Sequence, residues 1–338
     1  LKKSLTLSIA VSSALFSGDV TLSKILIDGK EATELKQETI KNSKRIELSE
    51  ILSDSVPSLS LSRTGGLGND IILRGQQRDN ISVVIDDTMV YGACPNRMDP
   101  PVMHISSDQI SDVEVGEGIY NVANFGALAG SVRVKTEDPK KGFHGAISGT
   151  VGSFDYYRGS VKLEGGTDQI QIGAGYSQET SSQYVDGDGK SMAEQIADIN
   201  PQMGYIDEDL DSFTRKTYWT KFVYSPLDNH KFKFSYFGDK SDDVLYPVFS
   251  MDGINDKTDI YNFEYEGIGL AQYSDFLRVK YFKSEISHDM STKFRKSSVM
   301  MGSKTHSIES IVEGLRVENR FERGKFLTTF GLDFSDRE

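Results

Sequence analysis

The sequence predicts a mainly β protein: an N-terminal mixed α/β domain, then the first part of a transmembrane antiparallel β-barrel. Three observations lead there. Past residue 141, segments of about ten residues alternate small or apolar with polar side chains, the length and period of a tilted membrane-spanning strand. Before them, residues 31–140 mix short apolar runs, helix-like spacing and glycine-marked turns. The chain opens with LKKSLTLSIAVSSALFSGD, in which Lys2 and Lys3 precede an apolar stretch ending at Ser17-Gly18, the pattern of a secretory signal peptide over 1–18.

Bulk properties agree. A chain of 338 residues is too long for one ordinary core. Its net charge of −12 offers no basic face for phosphates, which excludes nucleic acid as a partner. No apolar run of about 18 residues follows the N-terminus, which argues against a helical membrane protein and says nothing against a barrel. A soluble β-sandwich would share the alternation, but the export signal favours the barrel.

Taken in order, residues 19–30 are expected to form a periplasmic segment. From there the chain reads as a strand followed by helical patches, with Ile46, Leu48, Ile51 and Leu52 at helix-like spacing. Ile71-Ile72-Leu73, Ile81 to Ile85, Val113 to Val115 and Ser131 to Lys135 read as short strands, with Gly116, Gly118, Gly126 and Gly130 in the turns between the last two. In 141–338, segments such as TRKTYWTKFVYS, HKFKFSYFGDKS and KFLTTFGLDFSDR give eight or nine barrel strands. Tyr156-Tyr157, Tyr218-Trp219 and Tyr236-Phe237 suit the aromatic girdles of a membrane strand. Residues 184–212 and 244–269 do not alternate and are expected to be long extracellular loops. Asp186 and Asp188 lack the remaining spacing of a calcium loop and read as solvated. Because the chain stops in strand-like texture, it is expected to be a fragment of a larger barrel.

Cys94 is the only cysteine, in YGACPNRMDPP. In an oxidising compartment it can form no internal disulfide, which leaves a bystander, an intermolecular bridge or a metal ligand. Met98 follows four residues later. A thiolate and a thioether together select Cu(I) over calcium, magnesium or manganese. If the segment is a helical turn, the Cys-x-x-x-Met spacing puts both sulfurs on one side. His288 and Met290, two apart in a strand-like segment, would share one strand face.

The segment IILRGQQRDNISVVIDD (71–87), with Arg74, Gly75, Asp86 and Asp87, resembles the plug signature of TonB-dependent outer-membrane receptors, and ISDVEVGEGIYNVANFGALAGSVRVKT resembles the following plug block. Residues 94–101, CPNRMDPP, resemble the C-P-N-x-M-D-P-P motif of the copper receptor branch, and His288-Asp289-Met290 its H-x-M. The resemblance implies a 22-stranded barrel filled by a plug (31–140), with only the first part (141–338) present, in the bacterial outer membrane. It implies one copper ion held by Cys94, Met98, His288 and Met290, and the soft donors among them favour Cu(I). TonB, with its inner-membrane energising complex, would pull on a segment before the plug, with Leu22 to Ile27 the candidate. Beyond copper and TonB the expected surroundings are outer-membrane lipid, and the chain is expected to be monomeric. Met103 and His104 are candidate supplementary ligands, and Met192, Met203 and Met300-Met301 candidate transient contacts. His144, His230 and His306 read as ordinary barrel or turn residues. A receptor for siderophores or other metal chelates, or a truncated protein that does not transport, are the alternatives. No nucleophile–base pair suggests an enzyme.

Overall fold

The structure, a computed structural model, describes residues 32–43, 45–118 and 127–338, and the backbone of 6–15. The candidate TonB segment, Leu22 to Ile27, lies outside the described residues, as does Gly126.

The first domain contains two sheets. Strands β2 (Ala32–Lys36), β6 (Ile81–Ile85), β7 (Thr88–Met89), β8 (Ile110–Glu117) and β9 (Gly130–Thr136) form one in the order β2-β8-β9-β6-β7, with β6 and β9 parallel. Strands β3 (Leu59–Ser62), β4 (Asp70–Leu73) and β5 (Gln76–Gln77) form the other. Helices α1 (Gln37–Asn42) and α2 (Leu48–Ser55) pack alongside. The expected short strands all fall within β4, β6, β8 and β9. Their apolar runs build one core, in which Ile51, Leu52, Leu73, Val113, Val115 and Val132 are almost fully buried. Ile51 and Leu52 enter it from α2, as the helical spacing predicts.

The second domain is a single antiparallel sheet. Its strands are β10 (Gly142–Val151), β11 (Tyr157–Gly166), β12 (Ile170–Ser182), β13 (Asp211–Leu227), β14 (His230–Val244), β15 (Asp252–Ala271), β16 (Ser274–Ser291), β17 (Thr305–Arg323) and β18 (Phe326–Arg337), each paired with the next. Thr6–Leu15, inside the segment expected as a signal peptide, is strand β1, paired antiparallel with β18. An unpaired strand edge presents a row of free N–H and C=O groups, and an apolar extended segment can satisfy them.

Side chains alternate across this sheet. Phe237, Ile260 and Ile286 point inward and join the plug core, while Phe263, Tyr281, Leu315, Phe330 and Leu332 are exposed on the other face. A continuous apolar outer face of this kind suits lipid. Of the aromatics expected in interfacial girdles, Tyr218 and Tyr236 pack together with ring centroids 6.0 Å apart, whereas Phe237 is buried and Trp219 packs on the plug core. Adjacent positions in a strand face opposite ways, so a pair such as Tyr236-Phe237 cannot serve one girdle.

Two expected loops are corrected. Residues 244–269 are mostly strand, since β15 covers Asp252–Ala271. Within 184–212, Met192–Ile199 is a helix, α3, whose N-terminus carries a capping box between Ser191 and Glu194, and β13 begins at Asp211. The β15 error has a physical cause. Twenty residues at about 3.3 Å each span roughly 65 Å, about twice the hydrocarbon core of a bilayer. Only Tyr261, Phe263 and Tyr265 need an apolar outward face. Above them Asn255, Lys257 and Asp259 alternate with inward-facing Asp256 and Thr258, so polar residues occupy both faces and the period disappears.

Candidate functional site

The connections at one end of the sheet are short: 167–169, 228–229, 272–273 and 324–325. At the other end lie 183–210, 245–251 and 292–304, the last containing helix α4 (Lys296–Met301). In outer-membrane barrels the long connections are extracellular. His288 and Met290 are at that end of β16, facing inward, buried to 0% and 7% exposure. On the plug, Cys94 and Met98 are buried to 3% and 1%. Cys94, Met98 and Met290 pack in one cluster with Leu67, Met103, Phe213, Val244 and Tyr246. His288 stands beside this cluster, since a Cβ on Gly253 would lie 3.6 Å from its ring and 3.2 Å from the Tyr246 ring. All four sequence-predicted site residues are therefore brought together, two from each domain.

The plug pair is not on a helix, as one reading of its spacing required. Arg97 N donates to Cys94 O at 3.0 Å, and Arg97 has φ +60°, so residues 94–97 form a tight turn. Asp99 fastens this turn, accepting from Ala93 N at 2.6 Å and Cys94 N at 2.8 Å. Burial pushes the Asp99 carboxyl up, against the pull of neighbouring His104 and His288. A Cβ on Gly92 would stand 2.2 Å from Asp99 O, so only glycine lets the loop close here. Tyr246 donates its hydroxyl to Met98 O at 2.5 Å, tying the turn to the 245–251 connection.

On the barrel side, His288 Nδ1 is hydrogen-bonded to Asp256 Oδ1, its register partner on β15. Its Nε2 is shielded from solvent and makes no hydrogen bond of regular geometry. A buried imidazole nitrogen of this kind is rare and requires an explanation, and a nitrogen kept for a metal ion is one. Among the described residues no group of three His, Cys, Asp or Glu side chains is placed to hold a metal. The donor set becomes sufficient only with thioethers, which restricts it to soft ions.

The supplementary candidates separate. Met103 joins the sulfur cluster. His104 does not: its nitrogens meet Asp99 O at 3.2 Å and Thr258 Oγ1 at 2.7 Å, and burial pushes it down to about 4. Met300 and Met301 are exposed on α4. Asp256, Asp99 and Tyr246 were missed by sequence reasoning. Asp99 alone carried a signal, as part of the quoted octapeptide.

Comparison with known proteins fits this architecture. Residues 25–131 match the TonB-dependent Receptor Plug Domain family model. No curated protein matches the chain by sequence. Among solved structures, the copper transporter OprC is similar at TM-score 0.79 and 18% identity, over 91% of this chain and 46% of that one. The FrpB iron transporter from Neisseria meningitidis is similar at 0.71 and 12%, over 92% and 49%. The siderophore receptor PirA from Acinetobacter baumannii is similar at 0.66 and 14%, over 91% and 48%. The chain spans about half the length of each of these structures, and identities this low establish the fold alone. The protein carries a TonB-dependent receptor plug domain followed by strands with the fold of an outer-membrane receptor barrel, which places it in the outer membrane.

Proposed function

We propose that the protein is a TonB-dependent transporter that imports copper into the periplasm, with Cys94 and Met98 on the plug and His288 and Met290 on the barrel as the ligands. One observation carries this reading: two sulfurs from the plug pack with a barrel thioether in one buried cluster, beside a barrel imidazole whose Nε2 has no hydrogen-bond partner. Cu(I) accepts such a set, whereas hard cations prefer oxygen ligands. The cargo would be a bare ion. A siderophore or other chelate needs an open vestibule, and these side chains are packed to near-zero exposure. Nothing in the site resembles catalytic machinery, and the role is binding and passage. Residues 1–18 fit a signal for export, residues 19–30 a tether for TonB and its energising complex, and a single chain in outer-membrane lipid would suffice.

Metal content by mass spectrometry tests the reading on purified protein equilibrated with Cu(I), wild type beside Cys94→Ala and His288→Ala. About one copper per wild-type chain, lost in both variants, is the expected result. A wild type without copper, or variants that keep it, would exclude the four-ligand site.

A further inference from the structure

We propose that Asp256 is a positioning residue of this site: it holds a proton of His288 on Nδ1 and thereby leaves Nε2 as the nitrogen that meets the ion. The inference deepens the copper reading and rests on it for the identity of the cargo. Asp256 does not touch the ion and acts through His288.

Three observations carry it. Asp256 and His288 are direct Cα partners across β15 and β16, both inward and buried to 3% and 0%. A carboxylate can only accept, so an Asp256 oxygen on Nδ1 keeps a proton on that nitrogen and leaves Nε2 as the one available to a metal ion. That nitrogen is the buried one without a hydrogen-bond partner. Second, Asp256 has no other evident task. Its Oδ2 is buried and unpartnered, whereas nearby Asp252 engages Arg295 with both oxygens, at 2.6 Å each. A carboxylate kept only for the fold would satisfy both oxygens, because an orphaned buried acceptor is costly. Third, the pair is tightly enclosed. A Cβ on Gly253 would stand 3.2 Å from Asp256 Oδ2, 3.2 Å from the Tyr246 ring and 3.6 Å from His288 Cε1, so the carboxylate and ring have little freedom to turn.

Outer partners of metal-bound histidines typically change affinity by roughly 10- to 100-fold when removed. The test uses the full chain in detergent, with Cu(I) affinity measured by competition against a coloured Cu(I) chelator. Asp256→Ala is expected to weaken binding by roughly that factor and to remove the nitrogen donor from the copper X-ray absorption spectrum. Asp256→Asn, whose amide oxygen still accepts from Nδ1–H, is expected to restore most of both. Unchanged affinity with the nitrogen donor intact in Asp256→Ala would overturn the proposal. A second measurement is independent of copper: histidine-selective nitrogen NMR of the metal-free wild type, with His288 assigned by substitution. A proton on Nδ1 supports the proposal, and an Nδ1 without one overturns it. This holds even if Asp256→Ala fails to fold or the wild type binds no Cu(I), the outcome that would remove the copper reading alone.

Discussion

At the scale of single residues, the plug carries buried charge that its fold must accommodate. Glu47 is 2% exposed and accepts from Gly68 N at 2.9 Å, Asn69 N at 3.2 Å and Asn69 Nδ2 at 2.6 Å. Burial outweighs these donors and raises its carboxyl to about 7. The folded state therefore holds this proton more tightly than the unfolded chain. The contribution to stability is full below about pH 4.5 and is lost as pH rises through 7, about 3 kcal/mol in all. Thermal unfolding in detergent between pH 5 and 8 should show the midpoint falling, and Glu47→Gln should flatten that slope whatever its absolute stability. A wild-type midpoint that climbs over this range would contradict the assignment. The candidate ligands were easier to read than Glu47. A lone cysteine, a thioether four residues on and a His-x-Met pair are chemically distinctive wherever they fall. Asp256 and Tyr246 were not legible, because an aspartate or tyrosine gains meaning only from what it faces. Asp256 faces His288 through a strand register that the sequence did not disclose.

At the scale of elements, the extracellular connections are held by one buried ion pair. Arg295, at the start of α4, meets Asp252, the first residue of β15, with both side chains at 0% exposure. The same guanidinium donates to Tyr246 O and Met203 O, each at 2.9 Å, and lies 4.0 Å from the centre of the Tyr205 ring. Tyr205 and Tyr246 N donate in turn to Asp252, each at 2.8 Å. Three connections thus converge on one cation. Tyr246, which also reaches Met98, links them to the plug turn. Removing one partner leaves the other charge buried and uncompensated, so Arg295→Ala should cost about 3–5 kcal/mol. The local readout is protease sensitivity. Cleavage within 200–210 and 245–251 should accelerate in Arg295→Ala, while the short turns at the opposite end should stay resistant. Equal cleavage in both proteins would show that the ion pair does not hold the connections. None of this was visible in the sequence, where 244–269 looked like loop because β15 runs past the bilayer with polar residues on both faces. Short plug strands were read correctly, because burial on both faces leaves continuous apolar runs.

At the scale of the molecule, the cluster belongs to two bodies, and the contacts between them define what plug movement must break. At the extracellular end these include the packing of the candidate ligands, the Tyr246–Met98 hydrogen bond, and the hydrogen bonds of Thr258 to His104 and of Arg215 to Met103 O. Below lies an apolar layer in which Phe237, Ile260 and Ile286 of the barrel join plug residues Ile85 and Ile105. Nearer the short turns, a charged cavity of about 460 Å³ separates the domains, lined by Asp86 and Asp87 of the plug and Lys221, Lys233 and Lys280 of the barrel. Asp87 is paired there with Arg133 and Arg278 at 2.9 Å each, and the surrounding cations, Arg278 foremost, hold its carboxyl well below the usual range despite burial. A bare ion does not cross an apolar layer unaided, because it would lose its hydration without replacement. Under the proposed function, a tight soft site also cannot release its cargo spontaneously at a useful rate. Both obstacles share one solution, since displacing the plug separates Cys94 and Met98 from His288 and Met290 and opens the apolar layer in the same motion. Capture and delivery should therefore have different energy requirements. In cells lacking TonB, the protein should still bind copper at the level of energised cells, while periplasmic copper should fall to that of a strain without the protein. Copper in isolated outer membranes and in periplasmic extracts, measured with and without TonB, checks both halves. Equal periplasmic copper in the two strains would mean that the cargo leaves without plug displacement, and that division of the ligands between two bodies is not the release mechanism.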